Sequence, residues 1–147
     1  MVVRVEALET RLDKLGRVIS DLEEFAAMDR TDLLRSHRDM LAMERSLQIG
    51  ASLIFDIGSH ILSAAYGASA GEYEDIVGLL FQRGVLSAGL RARLKGLGGF
   101  RNLLVHEYLD LDEDRVLDFL GEAPGEFDDF AREIRDWLRS HKESTRP

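Results

Sequence analysis

The sequence predicts an all-α fold, an antiparallel helical bundle formed by a single domain of residues 1–147. We expect its core to extend over about residues 3–140 and the tail at 141–147 to be frayed. Apolar residues recur at spacings of three and four along most of the chain, which is the period of a helix face. The strict alternation of apolar and polar residues that is typical of strands is absent. Pro124 and Pro147 are the two prolines, so no proline obstructs a helix before residue 124.

The first predicted helix spans roughly residues 3–28. Seven apolar residues form a nearly unbroken stripe along it: Val5, Leu8, Leu12, Leu15, Ile19, Leu22 and Phe25. The positions between them are rich in Glu, Arg, Lys and Asp, as expected for the solvated side of an amphipathic helix. Asp29 and Thr31 can then cap a second helix. We expect this second helix to run from about residue 32 to residue 66 and to be unusually long.

The apolar stripe of the second helix widens to almost the whole circumference between residues 47 and 65. A helix that is apolar on most sides is buried on most sides, and a small monomer has little with which to cover it. We therefore predict a two-fold dimer that covers part of this helix. Gly50 and Gly58 lie inside it, where each costs roughly 1 kcal/mol relative to alanine. Close approach of another helix would offset that cost.

A loop rich in glycine and alanine, at residues 67–71, separates this helix from a third one over about residues 73–83. Ser87 can cap a fourth helix over about residues 88–106. Three glycines weaken the middle of that helix and predict a kink there: Gly96, Gly98 and Gly99.

Two helices joined by a turn are predicted for the C-terminal part of the chain. Asp110 or Asp112 can cap a short helix that ends near residue 120. Residues 121–125 contain two glycines and a proline and predict the turn. A last helix over about residues 126–140 follows. It should bury five apolar residues: Phe127, Phe130, Ile134, Trp137 and Leu138.

Composition excludes several classes of site. The absence of cysteine excludes disulfides, thiolate catalysis and Cys-type zinc sites. The four histidines show no HxxxH or HExxH spacing, so we expect no metal and no cofactor. The chain has no apolar run at its N-terminus and is charged from Arg4 onward, which argues against a secretory signal. The longest weakly charged stretch, residues 48–61, contains Asp56 and is too short to span a bilayer. We expect a soluble, cytoplasmic protein that does not enter the membrane.

Charge is segregated along the chain. The net charge of −8 argues against non-specific binding of nucleic acid by the whole surface. Residues 76–106 nevertheless contain no acidic residue. Five basic residues lie in this basic strip: Arg83, Arg91, Arg93, Lys95 and Arg101. The strip can steer a phosphate-bearing ligand, and Arg91, Arg93 and Lys95 are then candidates for RNA binding. Alternatively, it is a solvated helix face whose partners are carboxylates of neighbouring helices.

Arg101, His106 and Tyr108 form the most reactive constellation in the sequence. On an ideal helix of about 100° per residue, Arg101 and His106 would point about 140° apart. Their convergence requires a helix end near His106, a long reach by the arginine, or a cleft completed by a second subunit.

An arginine and a histidine suffice for metal-free cleavage of RNA by its own ribose. His106 would take the 2′-OH proton or protonate the leaving 5′ oxygen. Arg101 would stabilise charge on the phosphate oxygens. Tyr108 would bind phosphate or stack on a base. Such a reaction leaves a 2′,3′-cyclic phosphate and cannot cut DNA. Alternatively, the spacing is a chance one and the histidine only caps a helix end.

The segment RNLLVHEY, at residues 101–108, resembles the motif of HEPN ribonucleases of the HepT family. The similarity covers roughly residues 30–140. It includes five further segments, at residues 43–48, 56–60, 73–76, 84–86 and 108–116.

The resemblance implies a helical bundle that dimerises around a cleft lined by both copies of the motif. It also implies a metal-independent ribonuclease toxin of a type VII toxin–antitoxin system. The antitoxin of that family, MntA, is a minimal nucleotidyltransferase that silences the toxin by AMPylation of the motif tyrosine. Arg101 and His106 then inherit the catalytic role, Asn102 a supporting one, and Tyr108 both support and modification. Three weaker candidates lie on the second helix: Arg45, Gln48 and Asp56.

Two other functions stay open at this point. The chain can be a non-catalytic HEPN protein that serves as the nucleotide-binding or scaffold partner of a nucleotidyltransferase. In that case Arg101 and His106 bind a nucleotide phosphate and the acidic surface docks the partner. The chain can also be a purely structural helical dimer.

Overall fold

The computed structural model describes residues 3–106 and 111–141, which are helical and contain no strand. Seven helices occur within these ranges: α1 (Val5–Ala26), α2 (Arg30–Arg35), α3 (His37–Tyr66), α4 (Tyr73–Gln82), α5 (Ala88–Arg93), α6 (Leu97–His106) and α7 (Glu113–Ser140). The all-α prediction is confirmed. The first and third predicted helices differ from α1 and α4 by no more than two residues at each end, which is the usual fraying of helix boundaries.

The long second helix of the prediction is divided at Ser36. The Ser36 backbone is extended, and its side-chain oxygen accepts a hydrogen bond from the backbone N–H of Asp39 at 3.1 Å. A serine that caps a new helix in this way competes with continuation of the preceding one. The predicted helix over residues 32–66 is therefore wrong at its start, although α3 alone still has 30 residues.

The fourth predicted helix is two helices, α5 and α6. Gly96 lies between them with φ +90°, a left-handed conformation that a regular helix does not contain. The expected kink near the glycines is thus a complete break. Ser87 caps α5 as predicted, because its hydroxyl oxygen accepts a hydrogen bond from the backbone N–H of Leu90 at 3.2 Å.

The predicted turn at residues 121–125 is wrong, because α7 continues through it with Pro124 inside. The apolar stripe runs across this segment without interruption: Leu120, Ala123 and Phe127 are all buried. Burial of that stripe outweighs the one backbone hydrogen bond that proline removes. Asp112 is the cap of this helix, and its carboxylate accepts hydrogen bonds from two backbone N–H groups of the first turn.

Helices α1, α3 and α7 form the centre of the bundle and pack along one another. A Cβ on Gly50 would lie 2.5 Å from the ring of Phe127, and one on Gly58 would lie 2.6 Å from a methyl of Ile76. Both glycines therefore permit the close helix approach that the sequence predicts.

Helix α3 lies at the core of this bundle. The chain itself buries most of its apolar circumference, because α1, α4, α6 and α7 all contact it. Among the described residues of α3, Ile49 and Leu53 remain partly exposed and Leu41 is exposed. By length and composition the helix is long and apolar enough to cross a bilayer, which corrects the expectation drawn from residues 48–61 alone. Half of its most apolar window is buried inside the protein.

Candidate functional site

Glu74, in the first turn of α4, fixes the start of α6. Its carboxylate accepts hydrogen bonds from the backbone N–H of Gly96 at 2.6 Å and of Gly99 at 3.3 Å. A Cβ on Gly98 would lie 2.7 Å from the Glu74 backbone nitrogen, so a larger residue there would separate the two helices. Unpaired N–H groups at a helix start are stabilised by a carboxylate. The helix that carries the motif is thus held at its N-terminus by α4.

Arg101 lies half-buried against the same turn of α4. Its guanidinium carbon is 4.7 Å from the ring centroid of Tyr73, and Tyr73 stacks on Phe55 with centroids 5.1 Å apart. One terminal nitrogen donates to Oδ1 of Asn102 at 3.2 Å. Nε is buried and has no acceptor among the described residues. The guanidinium is therefore held on an aromatic surface while part of its donor set lacks a partner.

His106 is the last residue of α6 and its side chain is exposed. Residues 107–110 lie outside the described part of the chain, so the helix end expected near His106 stays a prediction. Both motif residues lie on one regular helix, so their side chains point about 140° apart. Arg101 contacts α4 while His106 faces solvent. Within one chain the two side chains therefore face different surroundings.

Tyr108, the predicted supporting and modification residue, lies outside the described residues. Its assignment stays a prediction.

The basic strip is only partly available to a ligand. Arg93 forms an ion pair with Asp129 of α7 at 2.5 Å, and this hydrogen bond holds the pKa of the Asp129 carboxyl below its usual value. The Arg91 guanidinium lies over the ring of Phe81 at 4.8 Å. Lys95 is exposed. The alternative that carboxylates of a neighbouring helix pair with the strip therefore describes Arg93 well.

A cleft of about 260 Å³ lies beside the motif helix, between the α5–α6 junction and α7. Eleven residues line it: Arg93, Leu94, Lys95, Gly96, Leu97, Phe100, Arg115, Asp118, Phe119, Glu122 and Glu126. Glu126 is 6% exposed, and Oε2 of its carboxylate has no hydrogen-bond partner among the described residues. Burial, and secondarily the charge of Glu122, raises the pKa of Glu126 to about 6. The cleft is therefore lined by a buried carboxylate with an unsatisfied hydrogen-bond acceptor.

Sequence reasoning assigned no role to Tyr73, Glu74 or Glu126. Tyr73 and Glu74 lie in a segment that resembles the family, but no pattern signals their contacts, since Gly96 and Arg101 lie more than twenty residues away. Glu126 does carry one, because it falls inside the apolar stripe of α7, three residues after Ala123 and next to Phe127. A carboxylate at a core position of an amphipathic helix marks a buried charge.

The three weaker candidates lie on α3. Arg45 and Asp56 are exposed and Gln48 is half-buried. They occupy the same helix as the partly exposed Ile49 and Leu53. Within residues 3–106 and 111–141, no group of three or more potential metal ligands occurs.

Comparison with known proteins gives a family and a fold. A family model described as "Ribonuclease HepT-like" matches residues 15–134. The tRNA nuclease HepT of Aphanizomenon flos-aquae is 33% identical over 132 residues, which cover 89% of this chain and 89% of that protein.

Two solved structures share the architecture. The cytosolic protein YutE of Bacillus subtilis, described as of unknown function, has a TM-score of 0.82 at 23% identity and covers 100% of this chain and 98% of that one. The tri-AMPylated HEPN toxin of Shewanella oneidensis, in complex with MNT antitoxin, has a TM-score of 0.79 at 22% identity. The match covers 88% of this chain and 96% of that one. These likenesses show a HEPN-like fold.

Proposed function

Because the chain belongs to the HepT-like ribonuclease family, we propose that it is a toxin endoribonuclease whose cutting site is built from Arg101 and His106. One observation carries the proposal. Arg101 rests on the ring of Tyr73 with its Nε lacking an acceptor, and His106 is exposed at the end of the same helix. A phosphate oxygen would accept from the terminal N–H groups of this half-buried guanidinium.

The proposed reaction is attack of the ribose 2′-OH on the adjacent phosphorus. The 2′ oxygen forms a new bond to phosphorus, its proton passes to a base, and the bond to the 5′ oxygen breaks. His106 takes the 2′-OH proton or supplies the proton to the leaving 5′ oxygen. Arg101 stabilises the negative charge on the non-bridging oxygens. The products are a 2′,3′-cyclic phosphate and a 5′-hydroxyl, no metal takes part, and DNA is not a substrate.

A two-fold dimer completes the proposed site. Arg101 and His106 diverge on α6, so a second copy is needed to bring an arginine and a histidine to one phosphate. The surface available for pairing includes the exposed Leu41 and the partly exposed Ile49 and Leu53 of α3. In a shared cleft the two copies of His106 can divide the roles of base and acid.

Regulation by a nucleotidyltransferase antitoxin of the MntA type belongs to the same proposal. The Shewanella oneidensis toxin with this fold is AMPylated and bound to its MNT antitoxin. For this chain we propose AMPylation of Tyr108, two residues beyond His106. The added phosphodiester would occupy the place of an RNA phosphate and repel the substrate. Catalysis and modification would both occur in the cytoplasm.

The substrate to test first is transfer RNA, because the Aphanizomenon flos-aquae relative is a tRNA nuclease. Cleavage of bulk tRNA by purified protein is compared with cleavage by His106→Ala and Arg101→Lys. We expect His106→Ala to lose about 10²- to 10⁴-fold activity. Arg101→Lys should also be poor, because an ammonium does not reproduce the planar two-point grip of a guanidinium.

Two controls separate the proposed mechanism from contamination and from metal catalysis. His37→Ala changes an exposed histidine on α3 and should leave cleavage unchanged. Addition of EDTA should have no effect. Full activity in His106→Ala, or cleavage that stops with EDTA, would show that this mechanism is wrong.

A second candidate is a non-catalytic, nucleotide-binding or scaffold partner of a nucleotidyltransferase. The ion pair between Arg93 and Asp129 favours it, since the pair removes one cation from the strip that would hold RNA. Growth arrest when the wild-type protein is expressed alone, relieved by His106→Ala, would decide for the ribonuclease.

A further inference from the structure

The cleft between the α5–α6 junction and α7 has walls of unusual composition for its size. The rings of Phe100 and Phe119 lie 4.5 Å apart, and the half-buried Phe119 forms part of the lining. Three basic side chains, Arg93, Lys95 and Arg115, lie around the same cleft, together with the carboxylates of Asp118 and Glu122. The cleft thus combines an aromatic surface with a rim that carries both signs of charge.

Glu126 contributes an unsatisfied hydrogen-bond acceptor to this cleft. It is only 6% exposed, and Oε2 has no hydrogen-bond partner among the described residues. A buried carboxylate oxygen without a donor is costly, and native proteins retain few such groups. Arg93 lowers the cost only through its charge, because its hydrogen bond goes to Asp129. A ligand that offers N–H groups to this carboxylate would remove the deficit.

We propose that this cleft holds one base of an RNA strand and prefers guanine, whose Watson–Crick edge donates to the Glu126 carboxylate. Guanine presents two adjacent donors on that edge, N1–H and the exocyclic N2 amino group, which match the two oxygens of a carboxylate. Adenine and cytosine present one exocyclic amino group, and uracil presents one imino N–H. Sequence-specific recognition of RNA commonly uses unstacked bases that lie on aromatic side chains and donate or accept along this edge.

The remaining walls fit the rest of a nucleotide. Phe119 provides an aromatic surface for the base, and the exposed Lys95 and Arg115 provide cations for the phosphates that flank it. A volume of about 260 Å³ suits a single base, and is below the range of about 300–1,000 Å³ that is usual for larger ligands. Phe100 adjoins Arg101 in the sequence, so a bound base would lie on the helix that carries the motif.

An arginine or lysine side chain of a protein partner could also donate to Glu126. Charge alone does not select between the two ligands, because Asp118 and Glu122 lie on the rim beside the three basic residues. A nucleotide offers a donor edge to Glu126 and a phosphate to the cations of the rim, whereas an arginine or lysine side chain offers only the donors.

This inference rests on the proposed ribonuclease function, and its test is a binding measurement that needs no cleavage. Guanosine, inosine and adenosine 5′-monophosphates are titrated into wild-type protein by calorimetry at pH 7.5. Guanosine monophosphate should bind most tightly. Inosine monophosphate lacks only the N2 amino group, and loss of one charge-assisted hydrogen bond should weaken binding roughly tenfold or more.

A pair of variants locates the interaction. Glu126→Gln should abolish the preference for guanosine over inosine monophosphate. Glu122→Gln removes the same charge from the exposed rim of the cleft and should keep the preference. Circular dichroism of both variants checks folding, and the comparison of three nucleotides on wild-type protein needs no variant.

Each outcome separates the two hypotheses. No binding of guanosine monophosphate at millimolar concentration, or equal binding of all three nucleotides, overturns the base-binding cleft. The same result with intact cleavage of tRNA leaves the ribonuclease assignment standing. Selective binding by a protein that cuts no RNA would support the cleft and refute the ribonuclease.

Discussion

The buried carboxyl of Glu126 makes the stability of the protein depend on pH. Glu126 is 6% exposed, and burial raises its pKa from 4.5 to about 6. Between these two values the folded state holds more protons on this group than the unfolded state does. The contribution of this carboxyl to the free energy of unfolding therefore falls as the pH rises from about 4.5 to about 6. Above pH 6 that contribution stays at the lower level.

The size of the effect follows from the two pKa values. A pKa raised from 4.5 to about 6 corresponds to about 2 kcal/mol of lost stability above pH 6. Glutamine cannot ionise, so Glu126→Gln removes this dependence. The difference in unfolding free energy, variant minus wild type, should be larger at pH 8 than at pH 4 by about 2 kcal/mol. The comparison between two pH values cancels any effect of the new amide that is independent of pH.

Urea unfolding followed by circular dichroism measures this difference, with both proteins studied at pH 4 and at pH 8 in the same salt. Glu24→Gln is the matched control, because Glu24 is exposed on α1 and is not among the charges that act on Glu126. If Glu126→Gln shifts stability equally at both pH values, the carboxyl ionises alike in the folded and unfolded chain. The argument that Glu126 is a strained, unpartnered charge would then be refuted.

Two further predictions concern assembly and regulation. Light scattering should give a mass near twice 16.6 kDa, since the divergent Arg101 and His106 need a second copy; a monomer at micromolar concentration would contradict the shared site. Incubation with the cognate nucleotidyltransferase, ATP and magnesium should add AMP to the wild-type protein but not to Tyr108→Phe, which lacks the acceptor oxygen. Intact-mass spectrometry measures this, and equal modification of both proteins would exclude Tyr108 as the acceptor.

The fold was predictable where one helix face carries the signal. The apolar stripe of α1 predicts the bounds of that helix to within two residues at each end, because one side of the helix faces the core and the opposite side faces solvent. Ser36 and Pro124 show where such reasoning fails. A capping serine within an apolar helix divides it, and a proline flanked by glycines does not interrupt α7 when the surrounding stripe is buried on both sides. At both sites the local helix propensity and the burial of side chains favour different structures. The sequence alone does not show which of the two effects is larger.

The sequence predicted only those features of the candidate site that lie close together along the chain. The segment at residues 101–106 contains both proposed reactive groups, and both lie on α6. The contacts of Tyr73 with Arg101 and of Glu74 with Gly96 join residues that are far apart in sequence, and no periodic pattern signals them. The ion pair of Arg93 with Asp129 is likewise invisible in a count of charges, although it decides how much of the basic strip can meet a phosphate.

The packing of α1 along α7 has a bearing on biosynthesis. The first and last helices cover each other's apolar stripes, and Arg135 of α7 reaches Asp13 of α1 at 3.5 Å. A nascent chain cannot close this core until residues near Leu138 have left the ribosome, because domains fold as units during synthesis. The motif helix is translated earlier but has no completed scaffold until then. A chain whose synthesis stops before α7 would therefore lack the scaffold of the motif helix and would be a substrate for proteolysis.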